Sequence, residues 1–433
     1  MPLSTPMLSE TSVVLCLLCI FLVPFACAGV ALINTGLGRS RSSAHAMMAS
    51  LSVIAVAAIA YFVCGFSWQG FVGLPEHYFM VGGKTWSWIS AEPLFLRGLE
   101  FNGSSASLVV LLQIVSVGLA ALIPLGAGTD RWRLSASCAS TALLAGWTYP
   151  LFAHWVWGGG WLAQLGVNYG LGHGFVDAGG SSTIQVVGGL TALSIAWILG
   201  PRRGKYSTNG MPAAIPGHNS VFVLFGCLLA WVGWLGLNSA GAILFAGADP
   251  GRVVLVGVNT TLAAVSAGLT AALVTRTRFG KPDASITANG WVGGLVASSA
   301  GCALLKPAAA VIVGIVAGAL VTLAVERFEF DLKVDDPGGA ISVHAVGGIW
   351  GVLALGLFAE FSGQAGQFLA QLIGIATLIG FVLPLTYGLN WLLNRFYPQR
   401  VALDGERQGM DLHELGADAY PESVTHTEEY TQR

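Results

Sequence analysis

The strongest constraint in this chain is a succession of apolar runs, each about 20 residues long and nearly free of charge, separated by short polar loops. An α-helix rises 1.5 Å per residue, so about 20 residues cross a hydrocarbon core of about 30 Å. Such runs fall at 12–34, 46–67, 105–127, 134–157, 181–200, 218–238, 252–275, 285–303, 307–325, 341–360 and 366–392. Only 10% of the 433 residues are charged and 54% are hydrophobic. A soluble domain carries about 25% charge, so this chain cannot coat its own surface for water. The sequence predicts an all-α integral membrane protein of eleven transmembrane helices. The membrane domain occupies 1–393, with 1–11 as a short segment outside, and a polar tail occupies 394–433.

The first run is read as a span and not as a signal peptide. A signal peptide has a basic leader and an apolar core of about 7–15 residues. Residues 1–11 hold Glu10 and no Lys or Arg, and the run that follows is longer than such a core.

Lys and Arg orient the chain. Counting alternate loops from an N-terminus outside, the inner loops hold Arg39, Arg41, Arg131, Arg133, Arg202, Arg203, Lys205, Arg276, Arg278, Lys281, Arg327 and Lys333. The tail adds Arg395, Arg400, Arg407 and Arg433. The outer segments hold only Lys84, Arg97, Arg252 and Lys306 of the 20 basic residues. Cytoplasmic loops of membrane proteins are enriched in Lys and Arg. The split therefore predicts an N-terminus outside and a cytoplasmic tail, in a multi-pass protein of the cell membrane. The basic residues are scattered and form no stripe, so nucleic acid is not an expected partner. The acidic tail includes GMDLHELGADAYP at 409–421, and 422–433 reads as disordered.

Seven Cys are present. Cys16 and Cys19 form a C-x-x-C, but no second Cys pair or nearby His supports a metal. They read as small apolar residues on one face of a lipid-embedded helix. No cofactor is expected.

The spans divide as five, five and one. The fifth carries Gln185 three residues before Gly188-Gly189, and the tenth carries His344 three residues before Gly347-Gly348. An offset of five spans reverses the direction of crossing, as an inverted repeat would, with a pathway between the halves near the midplane. The glycines let the two helices approach closely, so Gln185 and His344 are expected to face each other in a narrow apolar lumen.

Ionisable groups inside spans mark function by default. His344 reads as a pore-lining imidazole, against the plainer role of an interhelical hydrogen bond. His154 reads as packing near the outer end of span four. Asp177 caps span five, raises the local potential for a cation, or does both. Asp335 and Asp336 are expected to cap span ten. Trp155 and Trp161 are assigned to an interfacial belt. Trp157, within a WGGG stretch, offers an indole face for cation–π attraction of about 0.5–2 kcal/mol.

These residues resemble a known family, the ammonium transporters that include the methylammonium permeases and Rhesus proteins. The resemblance rests on WTYPLFAHWVWGGG at 147–160, DAGG at 177–180, DDPGGAISVHAVGGIWG at 335–351 and GWLGLN at 233–238. DRWRLSA at 130–136 and the tail motif add to it. It covers about residues 12–421. It implies a homotrimer with one pore per subunit, an outer vestibule that recruits ammonium, a pair of gating phenylalanines and two facing histidines. Trp157 and Asp177 match vestibule positions, and His344 matches the second histidine. The chain departs from the pattern elsewhere. Gln185 stands at the first histidine, Leu237 and Ser116 stand where the gate is aromatic, and Gly241 stands at a usual vestibule serine.

The departures have physical consequences. An apolar bore penalises a bare ion by several kcal/mol or more. Two imidazoles can relay a proton because His titrates near neutrality. Gln185 keeps a polar rail but cannot titrate. Three readings stay open: transport of ammonium or ammonia with altered properties, an ammonium-binding sensor-type relative, and a channel for another small neutral solute. No kinase-sized domain follows the last span in this sequence, which weighs mildly against a fused sensor. Cytoplasmic nitrogen-regulatory signalling proteins are partners implied by resemblance. No constellation suited to enzymatic catalysis stands out in the spans.

Overall fold

The computed structural model describes residues 8–72, 76–359 and 366–420. The stretch 422–433, read above as disordered, lies outside the described residues.

A long helix stands on each expected run. In chain order these are α1 (Glu10–Leu37), α2 (Ser40–Gln69), α3 (Ser105–Gly128), α4 (134–157), α5 (Ser181–Leu199), α6 (Ser220–Ala246), α7 (Pro250–Phe279), α8 (Ala284–Ser299), α9 (Pro307–Phe330), α10 (Ile341–Phe358) and α11 (Gln367–Phe396). Among the described residues, nine of them are long and apolar enough to cross a membrane. The two that fall short are α4, whose Ser, Thr and Tyr dilute its apolar character, and α8, which has 16 residues. Polar caps set several starts. Ser9, Ser104, Asn219 and Asp283 accept from the backbone N–H three residues on, at the heads of α1, α3, α6 and α8.

Small residues let the helices close on one another. At Gly233 of α6 a Cβ would lie 2.0 Å from the backbone nitrogen of Ala26 in α1. At Gly189 of α5 it would lie 2.4 Å from that of Ala345 in α10. Without side chains there, backbones touch and dispersion replaces the hydrophobic effect that lipid removes. Cys16 and Cys19 are buried and do not face lipid, because α1 presents that side to α6, with Gly236 against the Cys19 carbonyl.

The all-α expectation needs one correction outside the spans. Residues Glu76–Val81 (β1) and Lys84–Ser90 (β2) form an antiparallel hairpin. Its turn is Gly82-Gly83, with φ of +58° and +74°, the paired left-handed conformation that two-residue hairpin turns require. β2 packs on the end of α4. The Trp155 indole donates to the Trp88 carbonyl at 2.8 Å, and its ring meets those of Trp88 and Trp161. Trp155 is therefore 1% exposed and does not serve in an interfacial belt. His154 is held in the same seam. Its Nδ1 donates to the Gln69 carbonyl at 2.7 Å, leaving Nε2 to accept from Ser87 Oγ at 2.9 Å.

At the opposite end the tail folds back on the loops. Asp411 accepts from the backbone of Ala44 and His45, and Glu414 accepts from that of Leu134. These carboxylates sit near the starts of α2 and α4, where negative charge is favoured by the helix dipole. Glu414 also pairs with the His45 ring at 2.9 Å. Burial works against its ionisation, but His45 and the Leu134 N–H outweigh it and hold the carboxyl below its ordinary value.

Candidate functional site

The site begins with two helix starts of matching construction. Asp177 lies eight residues before Gln185, and Asp336 lies eight before His344. Each helix opens with a π-helical turn, Ser181–Val186 in α5 and Ile341–Val346 in α10. Such wide turns recur at functional positions because they re-aim side chains. Asp177 Oδ1 accepts from the N–H groups of Gly180 and Ser181 at 2.8 and 2.9 Å. Its Oδ2 accepts from those of Ser182 and Thr183 at 2.8 and 3.0 Å, and from both of their hydroxyls. The carboxylate is 2% exposed and is spent on the backbone. Asp336 accepts from only Ala340 N–H and Ile341 N–H, at 3.0 and 2.7 Å.

Asp335 does not cap α10 as expected. Its carboxylate takes Arg202 Nε at 3.0 Å and Nη2 at 3.1 Å. Arg202 also reaches Asp130 at 3.1 Å. Burial works against ionisation of Asp335, but Arg202 and Arg131 outweigh it and hold the carboxyl below its ordinary value. This buried cluster ties the DRWR loop to the ends of α5 and α10. Adjacent aspartates thus have different roles because the chain turns one toward Arg202 and the other toward the helix start.

Between these anchors α5 and α10 bring Gln185 and His344 together. His344 Nδ1 lies 2.7 Å from Gln185 Oε1, and the side chains are buried. The amide oxygen can only accept, so Nδ1 donates and Nε2 carries the ring's free lone pair. Among the described residues, Gln185 Nε2 is buried without an acceptor. An unmet donor costs about 1–3 kcal/mol, so the pair holds one vacant donor and one vacant acceptor in apolar surroundings.

Toward the hairpin end a small recess is lined by Leu112, Ser116, Trp157, Ile184, Leu237, Gly241 and Phe245, among others. It thus gathers Trp157, Ser116, Leu237 and Gly241 in one place, whereas Asp177 lies behind it. The Trp157 indole donates to the Asp177 carbonyl at 2.7 Å. At Gly241 a Cβ would lie 2.3 Å from the Ala178 carbonyl, so the missing serine there makes room for backbone. Ser116 Oγ is buried and has no partner among the described residues. Sequence reasoning missed Phe245, whose ring stacks on Trp157 with centroids 4.2 Å apart and planes 5° from parallel. The available signal was its spacing: Leu237, Gly241 and Phe245 recur every four residues on one helix face.

Toward the tail end a cavity of about 370 Å³ lies at the start of α10. Asp336, Asn289 and Ser342 line it, and Ser342 Oγ is buried without a partner among the described residues. Burial pushes the Asp336 carboxyl up to about 6, against its two backbone hydrogen bonds and with the neighbouring Asp335 charge adding to the rise.

Comparison with known proteins agrees with this geometry. The family model described as Ammonium Transporter Family matches residues 14–420. The ammonium transporter Amt2 of Archaeoglobus fulgidus is 36% identical, over 95% of this chain and 89% of that protein. An ammonium transporter of Bacillus subtilis is 29% identical, over 94% and 97%. Among solved structures, one described as a sensor Amt protein aligns with a TM-score of 0.84 at 26% identity, covering 94% of this chain and 98% of that one. The crystal structure of Candida albicans Mep2 aligns with a TM-score of 0.78 at 24% identity, covering 92% and 88%, and speaks for the fold alone.

Proposed function

This chain belongs to the ammonium transporter family, a family of multi-pass membrane transporters and not of enzymes, and we propose that it carries ammonium or ammonia through one narrow pore per subunit. The observation that carries the reading is the buried Gln185–His344 contact, set between the recess at Trp157 and the cavity at Asp336. In this reading α4 and α8 cross the membrane as well, giving eleven spans in a five-plus-five inverted repeat with one helix added. The matching Asp177–Gln185 and Asp336–His344 spacings support it. The 16-to-4 distribution of the 20 basic residues supports an N-terminus outside and a tail in the cytoplasm. The subunit joins a homotrimer, and the tail is the surface for a nitrogen-regulatory signalling protein.

Ammonium meets Trp157, Ser116, Leu237 and Gly241 at the outer recess, over a helix start held by Asp177. Desolvating the ion is costly in the apolar stretch beyond, so ammonium returns its proton to the outer water before the pair and the species that passes is ammonia. His344 Nε2 accepts an N–H from it, and the unmet Gln185 amide donates to its lone pair. Gln185 does not titrate, so it relays no proton. A second reading rests on this same substitution and on the likeness to a sensor Amt protein: binding of ammonium without efficient transport. A channel for another small neutral solute is the third. Purified protein in liposomes, given an ammonium pulse with current recording, separates them. A saturable current, or a saturable alkalinisation of the vesicle interior without one, supports transport; binding without flux moves the reading to the sensor. Gln185→His is expected to raise ammonium flux at least several-fold by restoring a titratable partner. An unchanged flux would remove the proton-relay account.

A further inference from the structure

The gate positions at Ser116 and Leu237 lack aromatic rings, yet the recess is closed: it has no room for a water molecule. The ring that closes it comes from two helical turns beyond Leu237. Phe245 lies parallel to Trp157 at 4.2 Å. A cation held by an indole must sit over its face, within about 6 Å of the centroid, and a ring stacked at this separation occupies that place on the face it covers.

The two rings are not held alike. Trp157 is 6% exposed and its N–H is tied to the Asp177 carbonyl. Phe245 is half-buried in the last turn of α6, one residue before the helix ends at Ala246. Gly247 follows in the left-handed conformation, with φ of +61°. Helix ends fray more readily than their middles. The indole is thus the fixed member and the phenyl ring the movable one.

We propose that Phe245 is the outer gate of this pore and sets its selectivity: closed, it covers Trp157, and it must swing out before a monovalent ammonium-type cation reaches the indole and the recess. The inference rests on the transport reading for its substrate, but its geometry can be tested without transport.

The direct test places a cysteine on the recess wall, Ser116→Cys, and follows its reaction with a small cationic methanethiosulfonate by peptide mass. Combining it with Phe245→Ala is expected to speed labelling at position 116 at least tenfold, and with Phe245→Leu by less. Equal labelling with Phe, Leu or Ala at 245 overturns the gate, whatever the protein carries. In liposomes, Phe245→Ala is expected to raise ammonium uptake at low concentration several-fold and to narrow the preference for ammonium over methylammonium. Adding Trp157→Ala should cancel that gain. Faster labelling without any uptake in either protein would uphold the gate and remove the transport reading. Ammonium uptake that Phe245→Ala leaves unchanged in rate and selectivity would overturn the gate and keep transport.

Discussion

Replacing Asp177 by Asn separates two roles a vestibule carboxylate can have. The change removes the charge and keeps the shape. Oδ1 serves two backbone N–H groups and Oδ2 serves two more, along with the hydroxyls of Ser182 and Thr183. An amide has one acceptor oxygen, so one side of the carboxylate becomes an NH2. The hydroxyls can rotate to accept from it; the backbone N–H groups cannot. The cheaper orientation therefore puts the NH2 against Ser182 and Thr183. Two buried backbone donors are then left facing a donor, at about 1–3 kcal/mol each. The expected loss is about 2–6 kcal/mol of stability, concentrated at the start of α5, eight residues from Gln185.

Thermal unfolding of the detergent-solubilised protein, beside ammonium uptake in liposomes, reads this out. Capping predicts a melting point lower by several degrees and a lower maximal uptake rate, because Gln185 loses its registry with His344. The half-saturating ammonium concentration should change little. The reverse pattern, an unchanged melting point with a several-fold weaker half-saturation, would show the carboxylate acting as a charge and refute the argument from its hydrogen bonds.

Other positions make sharper or milder versions of the same case. Asp336→Asn leaves only one backbone donor unmet, so its cost is expected to be about 1–3 kcal/mol, visible as a smaller melting shift than at Asp177. The native state holds the Asp336 proton up to about pH 6, whereas an unfolded aspartate releases it near 3.9. Its contribution to stability is thus present in acid and lost as pH rises through about 6, and Asp336→Asn should flatten that slope in a melting series from pH 4 to 7. Arg202→Met removes the hydrogen-bonded partner of two buried aspartates and, among the described residues, leaves Asp335 only Arg131 at 3.9 Å and Asp130 only Arg39 at 3.8 Å as charged neighbours. The expected loss is at most about 3–5 kcal/mol, that of one-sided removal of a buried pair; a melting point equal to wild type would sink that reading.

The spans were legible because the bilayer leaves a chain little choice: backbone groups in lipid must be paired, so long apolar runs become helices. The Gln185–His344 contact was legible from two Gly-Gly pairs, since only glycine admits the Ala345 backbone so closely. The hairpin was readable too, from aromatic and β-branched residues around Gly82-Gly83, but reading at the scale of spans passed over it. Asp335 and Asp336 were not separable, because residue type cannot say which carboxylate faces Arg202. Phe245 escaped because the aromatic was sought at the family's positions, and a helix can deliver a ring to the same recess from two turns away.

The spacing of eight from Asp177 to Gln185 and from Asp336 to His344 was also in the sequence. The two helix starts use one device for different ends. Asp177 gives six hydrogen-bond contacts to the start of α5, leaving a rigid anchor with no capacity to spare. Asp336 gives two to α10 and faces a cavity, which leaves it able to exchange a proton near pH 6. The two helix starts thus share one spacing and differ in what the carboxylate is left to do: in the transport reading proposed above, the one behind the recess only holds backbone, and the one at the cavity can also take up a proton.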